Sequence, residues 1–496
     1  MQVVKGWALA ALALVLSGCG QSERETVAFA VATAPSTLDP RYATDATSAR
    51  VNRLIYNRLV DFNAHSEPTP ALATWDRVSP TQYRFYLGEG GRRFHDGGRL
   101  TSTDVAATYR FILDKRNASP HRGIFAGIVR IDTPDADTVD FHLSSPDPLF
   151  PGYLVIGIVP ERFLNPALAL GEAPVGSGPF AFVQRAGESR VTLRRRSDDL
   201  PVEFIRVKDP TVRVLKLLRG EVDLVQNNLP PELVGYLSRE RSLRLDTAPG
   251  INFSYLGFNL ADPVTGRAEI RMAIAHALDR RVIIEHLWGW AARPAEALLV
   301  PGNWAGHPGL ASIAHDPDRA RALLAGLGFG PHNPLRLTYK TSTDPLRIRI
   351  ATVFQRQLAE VGIDLEIRSY DWGTFFGDIK AGRFQLYSLT WVGIRSPDIF
   401  EYVFHSSMIP PVGANRGRYK SEAADQLIEA AQQAPDRGRQ AALFRELQAL
   451  LHRDLPYIPL WYEDNFVAQG PRVSGYALAA DGNYDGLRHI RLGASL

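Results

Sequence analysis

The residue types that carry out chemistry are spread thinly along this chain. There is one cysteine, Cys19, and the twelve histidines are scattered, with no two at the spacing that puts a pair of metal ligands on one helix face. No nucleophile-elbow pattern, metalloprotease helix or close histidine-rich ligand set occurs. Phe94-His95-Asp96-Gly97 offers a His-Asp pair. Neighbouring residues on a strand face opposite sides, so the pair reads as a turn with structural polar contacts. Gly176-Ser177-Gly178-Pro179-Phe180 lacks the lysine and following hydroxyl of a phosphate-binding loop and reads as a crossing between domains. Catalysis would have to rest on residues assembled in space, and no catalytic residue, metal or cofactor is expected. Trp391-Val392-Gly393-Ile394-Arg395-Ser396-Pro397-Asp398 carries a tryptophan, an arginine and an aspartate in one short stretch. A guanidinium such as Arg395 pairs with a carboxylate or phosphate through two parallel hydrogen bonds. The competing reading points it at solvent or at a structural acid.

The elements that must position these residues are legible in part. A chain of 496 residues exceeds one ordinary core, so two or three domains are expected. Composition, 45% hydrophobic and 22% charged, is that of a globular protein. A formal net charge of +3 gives no case for nucleic acid. Val27 to Ala32 reads as the first strand, and Tyr83 to Leu87 and the Asp132 to Leu143 hairpin as parts of a small sheet. Thr101 to Asp104 opens a helix, with Asp104 suited to its positive end. Two βα units follow: strand Leu335 to Tyr339, a helix capped by Asp344 with Pro345 first and Ile348, Val353, Phe354, Leu358 and Val361 as its stripe, then strand Ile363 to Ile367. A further helix, Phe375 to Ala381, and strand Phe384 to Trp391 come next, and Asp436 to Leu451 is amphipathic. Strands alternating with helices predict a largely parallel sheet covered on both faces.

The start predicts export. Lys5 precedes a short apolar run that closes on Leu16-Ser17-Gly18-Cys19, the layout of a secretory signal. Those four residues resemble a bacterial lipobox. The resemblance implies cleavage before Cys19, lipidation of its thiol, a signal over residues 1–18 and a tether over 19–26. An ordinary signal peptide is the alternative. Removing residues 1–18 deletes only Lys5 and leaves a net charge of +2. With no later apolar run long enough to span a bilayer, membrane contact is expected only through the anchor. Gly20, in place of the aspartate that retains such lipoproteins at the inner membrane, implies outer-membrane sorting. The location is therefore periplasmic or cell-surface.

Several separated segments together resemble the peptide and nickel class of solute-binding proteins that serve ABC importers. They are Thr37 to Pro40, Tyr56 to Val60, Pro70 to Ala73, Phe94 to Gly97 with Thr103-Asp104-Val105, Gly176 to Phe180, Tyr255 to Asn259, Ile270 to Asp279 and Asp454 to Leu460. The resemblance implies an α/β fold of two lobes with a hinge and an extra domain beside the first. The first lobe would combine residues 27–42, 173–260 and 463–496; the extra domain would span 43–172 and the second lobe 261–462. The cargo implied is a short peptide or peptide-like solute, handed to an ABC permease and its ATPase subunits by a monomeric receptor. Alternatives are a metal chelate, haem or anionic solute, with His405 the residue to watch, and a sensor that presents ligand to a membrane receptor.

In peptide-binding relatives, an aspartate three residues after the tryptophan holds the ligand's amino group. That position here is Ile394, and Ser396 stands where an acid is usual before the proline. An ammonium would need another acid, Asp398 being nearest. The candidate contacts are therefore Trp391, Val392, Gly393, Ile394, Arg395 and Asp398. Tyr255 and Asn259 join them from the strand resembling the family's hinge-side strand. Tyr42, Ser36 and Thr37 follow the first strand, where α/β folds leave a ligand crevice. Asn415 and Arg416 lie in a polar loop. A structural role competes at each.

Overall fold

The computed structural model describes residues 25–164, 170–289, 291–434 and 436–493. The expected signal, Cys19 and the tether as far as residue 24 lie outside the described residues. Eleven strands form one sheet. Its path runs Ile363–Tyr370, Leu335–Ser342, Leu386–Trp391, Arg244–Phe258, Tyr457–Gln469, Leu224–Gln226, Val27–Val31, Pro201–Arg206, Arg190–Arg195, Phe180–Ala186. Ala292–Pro294 adds to Tyr457–Gln469. Val27–Val31 is buried at every position, as a strand covered on both faces must be. We call the half of the sheet around it the first lobe, and the half around Leu335–Ser342 the second.

The sheet is mixed rather than largely parallel. Pairing is parallel around Val27–Val31 and around Leu335–Ser342, where helices return the chain. The two longest strands, Arg244–Phe258 and Tyr457–Gln469, pair antiparallel and carry the chain from one lobe to the other and back. Alternating apolar segments could not reveal this, because the crossing is a property of pairing between distant strands.

Local signals did set the helices. Asp344 accepts from the Arg347 N–H and Pro345 occupies the first turn of Pro345–Ala359. The buried stripe is Ile350, Ala351, Phe354 and Leu358; Ile348, expected in it, is 37% exposed. Gly362, at φ 88°, ends the unit in a left-handed turn. In Ser102–Leu113, Thr101 and Asp104 form a reciprocal capping box. That helix backs a four-stranded antiparallel sheet, Ala73–Ser79, Gln82–Leu87, Thr138–Leu143, Ile128–Asp135, over a core of Phe85, Tyr109, Phe125, Phe141 and Phe150. The helix Ala46–Ile55 instead puts Val51, Leu54 and Ile55 into the first-lobe core with Phe29 and Phe204. His95 bonds the Gly178 carbonyl at 3.1 Å and receives the Gly176 N–H at 3.3 Å. Gly176 and Gly178 lie against the backbone of Leu54 and Ile55, where any Cβ would collide with a carbonyl.

Between the lobes the pairing slips. Ala248 opposes Asn465 but Asn252 opposes Glu463, so the outgoing strand carries a bulge of extra residues. Asp464 accepts from the Gly250 N–H at 2.9 Å and from Arg293 Nε at 2.8 Å, and Arg293 Nη2 donates to the Gly250 carbonyl. A Cβ on Gly250 would sit 2.0 Å from the Glu463 carbonyl oxygen. Gly250→Ala is expected to cost ~1–3 kcal/mol, as overpacking does. Thermal denaturation checks this; an unchanged melting temperature would mean the two strands part freely there.

Candidate functional site

The strand Leu386–Trp391 delivers Trp391 to the junction of the lobes. The chain then turns at Gly393, at φ 68°, whose N–H donates to Asn252 Oδ1 at 2.9 Å and fastens the loop to the outgoing hinge strand. Val392 is 58% exposed, whereas Ile394 packs into the second-lobe core. Arg395 reaches away from that lobe. Its guanidinium pairs with Asp481 and lies 3.8 Å from Asp61, and it sits over the Phe62 ring, 5.5 Å from the centroid. Asp481 belongs to the C-terminal segment on the first lobe, where Asn465 Nδ2 donates to the Ala480 carbonyl at 2.6 Å. Asp61 lies in the short strand Val60–Phe62, at the edge of the small-sheet core. One side chain thus bridges all three parts of the fold.

Around it stands a charge network that no local pattern announces. Arg53 pairs with Asp61 at 2.8 Å and Asp485 at 2.6 Å, and Arg58 pairs with Asp61 at 2.5 Å. Burial lowers the Arg395 pKa to about 10, and the like charge of Arg53 adds to the effect. Burial also lowers Arg58, again with Arg53 contributing. Burial alone would raise Asp61, but Arg58 and Arg53 outweigh it and hold the carboxyl well below the usual range. A cavity of about 270 Å³ opens beside the network, lined among others by Asn52, Arg53, Arg58, Asp61, His121 and Arg395. Three of these present buried polar atoms without a partner: Asn52 Oδ1, Arg58 Nε and His121 Nε2. Buried polar groups are nearly always paired, so three unpaired ones on residues lining one cavity make it a candidate site.

Asp398 lies on the other side of the loop. Burial raises its pKa to about 6, opposed by a hydrogen bond from Ser396 and reinforced by Asp147. Asp147 is raised too, chiefly by burial. Tyr153 bonds Asp147, and Glu401 lies close enough to act on both. Asp398 is therefore in an acidic cluster, apart from the arginines.

The other expected contacts separate into two groups. Tyr255, Trp391 and Arg416 come together. The Trp391 and Tyr255 rings stack 6.5 Å apart, Arg416 lies 4.6 Å over Trp391, and its Nη1 donates to the Tyr255 hydroxyl at 3.2 Å. The rest are engaged in holding the fold. Ser36 donates to Asp45, and the Thr37 N–H donates to Ser48, both at the start of Ala46–Ile55. The Tyr42 hydroxyl donates to the Asn117 carbonyl at 2.8 Å. Asn259 Nδ2 donates to the carbonyls of Gly382 and Phe384. Asn415 clamps its loop through His405 and Tyr419 and so presents Arg416. His405 is engaged with Ser407 at 2.7 Å. Among the described residues no group of three or more His, Cys, Asp or Glu is placed to hold a metal ion, and no helix is long and apolar enough to cross a membrane.

Two α/β lobes joined by crossing strands, with a cavity at their junction, have the architecture of a hinged binding protein. The chain belongs to the bacterial extracellular solute-binding proteins, family 5, whose sequence profile for the middle region matches residues 67–407. That is a family of solute-binding proteins, not of enzymes. Di/tripeptide-binding protein 2 of Pseudomonas aeruginosa is 28% identical over 515 aligned positions, covering 95% of this chain and 96% of its own. The substrate-binding protein CtaP of Listeria monocytogenes superposes with a TM-score of 0.85 at 23% identity, over 94% of this chain and 99% of that one. DppA of Helicobacter pylori, solved in complex with the peptide STSA, gives 0.77 at 25% identity, over 94% and 98%.

Proposed function

We propose that this protein captures a short peptide or peptide-like solute between its lobes and delivers it to an ABC permease and its ATPase subunits. The observation that carries this reading is the cavity at the three-way junction, with its three unpartnered buried polar atoms and Arg395 crossing from the second lobe. Peptide-binding relatives matched along nearly the whole chain support the choice of cargo. Closure of the hinge around the occupant would present the closed form to the permease. We further propose the three-part division expected from sequence, with Ala46–Ile55 assigned to the first lobe because its apolar face packs there. Lipidation at Cys19, anchoring to a membrane surface and action as a monomer belong to the same proposal.

Native mass spectrometry of the chain from residue 20 onward, purified without denaturation, tests the cargo. Added mass corresponding to short peptides is the expected result. A single non-peptide mass, a metal or haem would overturn the peptide assignment.

A further inference from the structure

Arg416 is a mostly buried guanidinium with no carboxylate partner among the described residues. Among the described residues its side-chain hydrogen bond uses Nη1, to the Tyr255 hydroxyl, one of five N–H donors. It lies 4.6 Å over the Trp391 ring and 5.3 Å over Phe376. Cation–π contacts of this kind offset part of the cost of desolvation but supply no counter-charge. A second donor lies beside it. Trp391 Nε1 is buried without a partner, while the Tyr387 and Tyr457 hydroxyls, whose rings pack on Tyr255, interact with one another and with the Tyr255 hydroxyl. Arginine and tryptophan side chains only donate.

Beside these two donors, Arg416 and Trp391, stands uncovered aromatic surface. Trp372 stacks on Phe376 at 5.3 Å and is 58% exposed, and Tyr402 packs on Trp391 and is 47% exposed. Trp391 also begins the loop that carries Arg395 across to the first lobe. We propose that Arg416 anchors a carboxylate of the cargo, with an apolar group next to that carboxylate packed on the Trp372–Phe376 pair and Tyr402. The Trp391 and Phe376 rings take up the guanidinium's aromatic contacts, and its N–H groups not bonded to Tyr255 are the donors from which a planar carboxylate accepts two parallel bonds. This deepens the cargo assignment above and rests on it for the peptide backbone only.

The test uses the exported chain and two pools: a tryptic digest of casein, and the same digest with its carboxyls methyl-esterified. Retained peptides are identified by mass spectrometry, and 3-phenylpropionate is titrated separately by calorimetry. The free-acid pool should be retained at least about tenfold over the ester pool by the wild type. Arg416→Gln should lose that preference, and Arg416→Lys, which keeps the charge without the planar fork, should keep part of it. Equal retention of acids and esters would overturn the carboxylate anchor and leave the peptide reading standing. So would an acid preference unchanged in Arg416→Gln, since the anchor would then lie elsewhere. If neither pool is retained but 3-phenylpropionate binds the wild type and not Arg416→Gln, the anchor stands and the peptide reading falls. No binding of any probe overturns both. The acid-against-ester comparison is made on the wild type, so it holds even if a variant folds poorly.

Discussion

Arg395→Ala is expected to leave the fold intact and to weaken retention of the peptide cargo by roughly 200- to 5,000-fold. The guanidinium bridges the second-lobe loop, Asp481 on the first lobe and Asp61 beside the small sheet, and a second ion pair, Arg349–Glu232, also crosses between the lobes. Asp61 would keep Arg53 and Arg58. Asp481 would keep only donors from Asn483, so a largely buried carboxylate would lose its cation. Removing one member of such a pair costs ~3–5 kcal/mol. Here that cost falls on the closed arrangement alone, because opening the lobes returns Asp481 to water. Apparent affinity scales with the closed fraction, so a closure penalty is read directly as lost binding. Calorimetry with the retained peptides, alongside small-angle scattering for lobe opening, checks both halves. The swap Arg395→Asp with Asp481→Arg should restore part of the affinity. An Arg395→Ala protein as compact and as tight as the wild type would show that the pair does not hold the lobes together.

The second large effect lies in Asp398 and is a dependence on pH. Its carboxyl titrates near 6 in the folded chain, chiefly because it is buried. An exposed aspartate titrates near 4. The folded state therefore binds this proton more tightly than the unfolded state. The resulting stability is fully present below about pH 4 and is lost as pH rises through about 6. At neutral pH the ionised group is a liability of up to ~3 kcal/mol, from about two units at 1.36 kcal/mol each. Asp398→Asn removes the charge and keeps an acceptor for Ser396. The variant should melt above the wild type at about pH 7.5, and the gap should close towards about pH 4.5. A gap that stays constant with pH would place the effect in packing rather than in ionisation. Asp147, raised in the same cluster, should leave a smaller residue of the pH dependence in the variant.

The glycine hinge and the Arg416 anchor test different parts of the same machine. Gly250→Ala alters how the lobes are joined, whereas Arg416 acts on what lies between them. An Arg416 variant with native thermal stability and lost acid preference would separate the two.

By itself the sequence determined most of the local structure and the family. The Asp344-Pro345 start and Gly362 stop, the Thr101–Asp104 capping box and the all-buried Val27–Val31 strand are written in neighbouring residues, because caps, turns and periodicity act over a few positions. Separated signatures likewise sufficed for the solute-binding family and pointed to Trp391, Tyr255 and Asn259, while Arg395 and Arg416 were read from their residue type and place in polar loops. They could not say how these residues are used. Arg395 looked like a hand for anionic cargo and is instead matched to Asp61 and Asp481, which lie 334 and 86 positions away along the chain. Asp398 looked like a stand-in for an amine anchor and sits in an acid cluster with Asp147, while Asn259 and Asn415 are consumed by backbone carbonyls. The mixed sheet, the bulge at Gly250 and the cavity beside Arg58 were decided by tertiary structure alone. Strand pairing, burial and ion pairing there depend on segments that meet only when the two crossing strands bring distant parts of the chain together. No local pattern records which carboxylate a given arginine will face.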